Sequence, residues 1–306
     1  MRRRFSSAAL LLLAPLAAVA GENEYWSYTY RNVEVTAAGN SAYAVNLARY
    51  CVRLDGMLTR ILGIRTSERP PVHLYALPPA QVRQFLGDGD RVSFHSSPAG
   101  DIILTSNARE FDSDYWGAYY GYTAALLASD GRLSGPDWYR AGLPLVFAST
   151  KYRRDRAQLG TVQFGYAVTL GQGRYAWIPM RTFLSLKHAT IGNNAAALRV
   201  YDAEAWGLAH EIFVEGWHRA EFAKYLELMR QGGQEPEAFA ASFNITYEQL
   251  DEEFADALRQ RALVYTMDAP DPGAASETAH ALNAEEVKAR LALLAAQYPK
   301  RANDSY

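Results

Sequence analysis

The first third of the chain switches between two hydrophobic periods. Between Tyr25 and Val35, aromatic and polar residues alternate, which predicts a β-strand. Apolar residues then recur at helical spacing, and Gly63 marks the end of the predicted helix. The apolar positions of this helix are Leu47, Tyr50, Cys51, Leu54, Leu58, Ile61 and Leu62.

Further strands follow this helix before the pattern becomes mainly helical. Val72 and Leu74 lie in a predicted strand that stops at Pro78 and Pro79, where another helix begins. Residues 98–101 are typical of a turn between two strands. From residue 112 onward the pattern is helical, apart from a glycine-rich stretch at 160–173 that predicts irregular structure.

These patterns predict an α+β protein, with an N-terminal α/β layer around a small sheet and a mostly helical layer after it. The predicted division is a signal peptide at 1–20, an α/β subdomain at 21–110, a helical subdomain at 111–267, and a linker with a C-terminal helix at 268–306. The final helix resembles half of a tetratricopeptide unit. One such helix cannot form a repeat array, so it either folds back on the protein or binds another chain.

The first 20 residues have the three parts of a secretory signal. Arg2, Arg3 and Arg4 form a basic start, an apolar run of 13 residues follows, and the run ends in the small residues Ala18 and Ala20. We predict cleavage before residue 21 and a periplasmic or secreted protein. Because a membrane span needs about 20 apolar residues, stable membrane insertion is not expected.

Charge and cysteine content restrict the partners further. Loss of the signal removes three arginines and no acidic residue, so the net charge falls from −2 to about −5. Because nucleic-acid binding depends on neutralising phosphates, no nucleic-acid partner is expected. Cys51 is the only cysteine, so the chain forms no internal disulfide, and its apolar helical position predicts a buried side chain.

Two segments in the helical region carry a family resemblance. Residues 120–127 read Tyr-Gly-Tyr-Thr-Ala-Ala-Leu-Leu, and residues 136–143 read Pro-Asp-Trp-Tyr-Arg-Ala-Gly-Leu. They resemble the zinc-binding core of peptidase-MA-like gluzincin metallopeptidases, which reads His-Glu-Tyr-Thr-His-Ala-Leu-Leu and then Pro-x-Trp-Leu-x-Glu-Gly-Leu-Ala. Residues 32–64, 70–76, 201–210 and 239–254 are similar to other segments of that family, in the same order. The resemblance implies a zincin-like fold with a groove between its two layers.

The residues that perform the family's chemistry are replaced at every position. The two histidine ligands become Tyr120 and Ala124, the general-base glutamate becomes Gly121, and the third ligand becomes Ala141. A catalytic zinc needs three protein ligands and an open position for water. Since alanine and glycine offer no ligand and a phenol is a poor one at neutral pH, we predict that the ancestral zinc is lost and that there is no cofactor.

Aromatic residues are concentrated around the replaced positions. The chain has 20 tyrosines, and the candidate ligand-binding residues of the groove are Trp116, Tyr119, Tyr120, Trp138 and Arg140. Two interpretations of Tyr120 remain open. Its ring fills the space that metal, water and imidazole have left, or it lines an open groove that binds sugar rings or peptide side chains.

One other helix could hold a metal. Glu211, Glu215 and His218 share a helical face by i+4 and i+3 spacing, which is a weak alternative metal site, although a solvated helix surface has the same pattern. The preferred function is a catalytically inactive metallopeptidase homologue that binds a peptide, a glycan or an envelope protein. The alternatives are a hydrolase with a relocated site and a structural assembly factor of the cell envelope.

Overall fold

The computed structural model describes residues 24–63, 71–87, 92–97, 100–108, 115–129, 135–171, 176–192, 194–259, 265–271, 273 and 278–298. The predicted signal peptide lies outside these residues. The fold is mixed α/β and contains a mixed sheet, which confirms the predicted class at this level. The chain divides into two compact units, and it passes from the first to the second for the first time between Val52 and Arg53, inside one long helix.

The first unit is built on a sheet of six strands in the order β4-β5-β3-β2-β1-β9. Strand β2 is parallel to β3 and β3 is parallel to β5, whereas the other pairs are antiparallel. The strands are β1 (Tyr25–Tyr30), β2 (Val33–Ala38), β3 (Val72–Leu77), β4 (Val92–Ser97), β5 (Gly100–Ser106) and β9 (His280–Ala281).

The predicted single strand from Tyr25 to Val35 is in fact a hairpin. Strands β1 and β2 pair in an antiparallel register around Arg31, whose φ of 54° reverses the chain. A non-glycine residue adopts positive φ only rarely, so the alternating pattern gave no warning of this turn. The prediction of one continuous strand was wrong for this reason.

Three helices contribute to the first unit. Helix α1 (Ser41–Leu62) follows the predicted apolar stripe and ends at Gly63, which has a φ of 66°. Cys51 is fully buried on this helix, as predicted. Helix α2 (Pro79–Leu86) starts directly after Pro78.

Helix α11 (Ala284–Gln297) forms part of the core of the first unit. Asn283 and Glu286 form a capping box at its start, and Val287, Leu291 and Leu294 pack in one cluster with residues of the sheet and of α2. The alternative in which the last helix folds back is therefore the one that the structure shows. Strand β9 and helix α11 belong to the first unit.

The second unit is mainly helical. Its helices are α3 (Trp116–Ser129), α4 (Asp137–Ala148), α5 (Phe164–Gly171), α6 (Met180–Phe183), α7 (Ala195–His210), α8 (Arg219–Arg230), α9 (Glu235–Ser242) and α10 (Tyr247–Arg259). A small antiparallel sheet joins β6 (Lys151–Arg153), β7 (Arg156–Leu159) and β8 (Tyr265–Asp268). Helix α5 lies inside the stretch predicted to be irregular, so that prediction was wrong over residues 164–171.

Helix α4 is central to the second unit, because it packs against both α3 and α7. The approach of α4 to α7 depends on a glycine. A Cβ atom on Gly142 would lie 2.0 Å from the backbone oxygen of Ala205, so no larger residue fits there without a shift of a backbone. In the part of the chain that the structure describes, no helix is long and apolar enough to cross a membrane.

Candidate functional site

The four positions that the sequence comparison aligned with a zinc motif lie on two neighbouring helices. Tyr120, Gly121 and Ala124 lie on α3, and Ala141 lies on α4. Gly121 and Ala124 are buried, whereas Tyr120 and Ala141 keep partial exposure. Among the described residues, no group of three histidine, cysteine, aspartate or glutamate side chains could hold a metal.

A polar cluster is found next to Tyr120. Helix α7 contributes Asp202, α5 contributes Tyr166, α4 contributes Arg140, and a short 3-10 turn at His188–Ile191 contributes His188. We call Tyr120, Arg140, Tyr166, His188 and Asp202 the tyrosine–aspartate cluster. The close packing of α4 on α7 brings these distant segments within electrostatic range of one another.

Asp202 is the carboxyl group of the cluster. Burial raises the pKa of Asp202 to about 6, and this exceeds the opposing attraction of His188, whose Nε2 atom lies 4.0 Å from a carboxyl oxygen. About a third of the side chain, 35%, is still exposed, so solvent screens part of this effect. Asp202 therefore changes its charge close to neutral pH.

The tyrosines of the cluster stay protonated. Burial raises the pKa of Tyr120 to about 12, with a further increase from the negative charge of Asp202 that Arg140 partly offsets. Burial also raises the pKa of Tyr166, and Asp202 and Tyr120 add to this shift. Both phenols are therefore hydrogen-bond donors at any physiological pH.

Asp137 at the start of α4 positions two members of the cluster. One carboxyl oxygen of Asp137 accepts a hydrogen bond of 2.9 Å from the backbone N–H of His188, and the other lies 3.5 Å from the Arg140 guanidinium. The His188 ring also contacts Tyr201 edge-on at 5.4 Å. The 3-10 turn is thus fixed to the amino end of α4.

Of the five predicted groove residues, three are buried in the structure and two are at least partly exposed. Tyr119 and Trp138 are 1% and 0% exposed, so they belong to the core and a ligand cannot reach them in this conformation. Trp116 is nearly buried and its ring stacks on Tyr120 at 5.5 Å. Tyr120 and Arg140 remain accessible, and the Arg140 side chain is 51% exposed.

The weak alternative metal site is divided by the structure. Glu211 and Glu215 lie on a π-helical turn beside His210, whose ring atoms approach their carboxylates at 3.3 and 3.9 Å. His218 instead forms an ion pair of 2.6 Å with Glu253. The π-turn changes the spacing of this helix, so the i+4 and i+3 arithmetic of a regular helix does not apply.

Sequence reasoning missed Asp202, Tyr166, His188 and Asp137. The only signal for Asp202 was a carboxylate in a helix that is otherwise rich in alanine and aromatic residues. Burial of such a helix forces the carboxylate into an apolar environment unless a partner neutralises it. Nothing in the sequence indicated that Tyr120 and Asp202 would meet.

Comparison with known proteins was made for the whole sequence. No protein-family model matches the chain, and no match was found among the curated proteins. The resemblance to gluzincins therefore rests on the residues of the two motifs and on the order of the segments around them.

Proposed function

We propose that this protein is an exported, catalytically inactive homologue of gluzincin metallopeptidases that binds a peptide, a glycan or a protein partner at the tyrosine–aspartate cluster. One observation carries the proposal. The position of the first zinc ligand is occupied by Tyr120, whose accessible phenol lies in a cluster with Asp202 and Arg140. A zincin-like fold, export and a periplasmic or secreted location are parts of the same proposal.

The chemistry of the cluster suits a neutral or mildly charged polar ligand. Two protonated phenols and a guanidinium donate hydrogen bonds, and the Asp202 carboxylate accepts them. The ring of Tyr120, supported by Trp116, offers an aromatic face. Sugar hydroxyls and peptide amides both need this combination of donors, one acceptor and a ring.

A second candidate is a hydrolase with a relocated site. A carboxyl group with a pKa of about 6 next to a histidine is typical of a general acid or base, and Asp202 and His188 form such a pair. The assembly-factor alternative loses part of its support, because the helix that suggested it is packed in the first unit.

The first prediction separates binding from catalysis. We expect a screen of peptides and soluble glycans to find a ligand whose affinity falls roughly tenfold in Tyr120→Phe and in Asp202→Asn, since each change removes one hydrogen-bonding group. Isothermal titration calorimetry measures the affinity. Tyr265→Phe and Asp256→Asn are the matched controls, because both side chains are exposed and lie outside the cluster.

Three results would contradict the proposal. Hydrolysis of the ligand by the wild type and its loss in Asp202→Asn would favour the hydrolase. Equal binding by all four variants would place the ligand elsewhere. About one zinc per purified chain by elemental analysis would mean that the metal chemistry persists.

A further inference from the structure

The second unit has a cleft that the tyrosine–aspartate cluster does not use. Its volume is about 410 Å³, which lies within the range of small-molecule sites. Three segments of the chain form its walls: the start of α4, residues 184–187 after α6, and residues 229–236 between α8 and α9. We call it the α4–α9 cleft.

The walls of the cleft are held by hydrogen bonds, so the site is preformed. Glu235 is 8% exposed, and both of its carboxyl oxygens lie within hydrogen-bond distance, at 3.0 and 3.2 Å, of the Tyr247 hydroxyl. Asp137 accepts the backbone N–H of His188 on another wall. Leu184 is 1% exposed and anchors the third segment in the core.

Both signs of charge line the cleft. Asp137 and Glu235 are acidic, and Lys187 is an exposed base. Leu184, Leu186 and Met229 add an apolar surface. The cleft also lies at the amino ends of α4 and α9, and within the described residues neither end has a side-chain cap hydrogen bond. Backbone N–H groups at such ends favour a negative group.

These features exclude the simpler ligands. A simple anion would meet two carboxylates, and a simple cation would meet Lys187 and two helix amino ends. A purely apolar ligand would bury the charged groups without compensation. A ligand that carries an ammonium, a carboxylate and an apolar side chain meets all three parts of the lining.

We propose that the α4–α9 cleft binds a small zwitterion with an apolar side chain, either a free amino acid or a short peptide with free termini. The ammonium pairs with Asp137 and Glu235, and the carboxylate pairs with Lys187 and the helix amides. The apolar side chain lies against Leu186 and Met229. This proposal does not depend on the function of the tyrosine–aspartate cluster.

The test is calorimetric titration of the full chain with four probes. L-Leucine and the dipeptide Leu-Leu carry both charges, N-acetyl-leucinamide carries neither, and isopentylamine lacks the carboxylate. We expect binding of leucine or Leu-Leu and at least roughly tenfold weaker binding of the other two, because N-acetyl-leucinamide lacks both paired charges and isopentylamine lacks the carboxylate. If leucine binds more tightly than Leu-Leu, the ligand is a free amino acid; if Leu-Leu binds more tightly, it is a short peptide.

Two variants locate the ligand. Lys187→Gln should weaken binding of the zwitterion at least roughly tenfold and leave binding of isopentylamine unchanged, whereas Lys288→Gln, at an exposed position of α11, should change neither. Met229→Trp should fill the cleft and abolish binding. The proposal is overturned by equal affinity for N-acetyl-leucinamide, by wild-type affinity in Lys187→Gln or Met229→Trp, or by no heat with either zwitterion at millimolar concentration.

Discussion

Glu34 in the first unit and Asp202 in the second are similar carboxylates with opposite behaviour. Their side chains are 27% and 35% exposed, and each lies beside a histidine. The hydrogen bond from His73 at 2.9 Å, together with Arg290 at 2.6 Å, lowers the pKa of Glu34 to about 2. Burial raises the pKa of Asp202 to about 6.

The two pKa values differ because the two carboxylates have different hydrogen-bonding partners, since their side chains are almost equally exposed. Glu34 has a histidine and an arginine at hydrogen-bond distance, and their hydrogen bonds outweigh the cost of desolvation. The histidine beside Asp202 is 4.0 Å away, so desolvation dominates. The ionised Glu34 therefore stabilises the fold, whereas the ionised Asp202 destabilises it. The Asp202 carboxylate thus keeps its capacity to bind a ligand. Carboxylates of the second kind are the better candidates for a functional site.

The largest change in the free energy of unfolding is expected when the hydrogen bond between Glu34 and Arg290 is removed. Arg290→Met removes hydrogen bonds to Glu34 and to the Thr36 hydroxyl, and should lower the free energy of unfolding by about 1–3 kcal/mol at neutral pH. Urea denaturation measures the change. Because the pKa of Glu34 is lowered, its stabilisation is present above pH ~4.5 and is lost as the pH falls toward 2.

Arg259→Met is the matched control for this change. Arg259 pairs with Asp256, but both side chains are mostly exposed, so the loss should stay below about 0.5 kcal/mol. Equal effects of the two variants would show that Glu34 and Arg290 form an ordinary surface pair.

A smaller change in the free energy of unfolding, of the opposite sign, is expected when Asp202 is replaced. Asp202→Asn should raise the free energy of unfolding by up to about 1 kcal/mol at pH 7, after allowance for solvent screening. The raised pKa means that the folded protein ionises later than the unfolded chain, so the gain should develop between pH ~3.8 and ~6 and be absent below. A series of urea midpoints across this range measures it, and a variant that is less stable at pH 7 contradicts the comparison.

The smallest effect concerns the histidine of the cluster. His188→Gln should raise the pKa of Asp202 slightly, since it removes the electrostatic attraction of the partly exposed His188 ring 4.0 Å away. Carboxyl-carbon NMR titration of Asp202 detects the shift. His280→Gln, an exposed change in the first unit, should leave this titration as it is. A lower pKa in His188→Gln would mean that burial is not the dominant cause.

The sequence predicted elements that follow a regular period and missed those set by distant contacts. Helix α1 agreed with its apolar stripe and its terminal glycine, whereas the two-residue strand β9 exists only because β1 offers it a partner. The same holds for the site. The sequence of residues 120–141 suggested Tyr120 as a candidate, but the approach of Asp202 depends on the contact between Gly142 and Ala205, which no local pattern encodes.

The pairing of β1 with β9 has a consequence for the order in which the chain becomes folded. The Glu34–Arg290 bond joins residues 256 positions apart, and the whole of the second unit lies between them in the sequence. During synthesis, the edge of β1 and the sheet face covered by α11 stay open until residues 280–297 have been made. Until then, an unpaired sheet edge is exposed to other chains, and such edges favour aggregation.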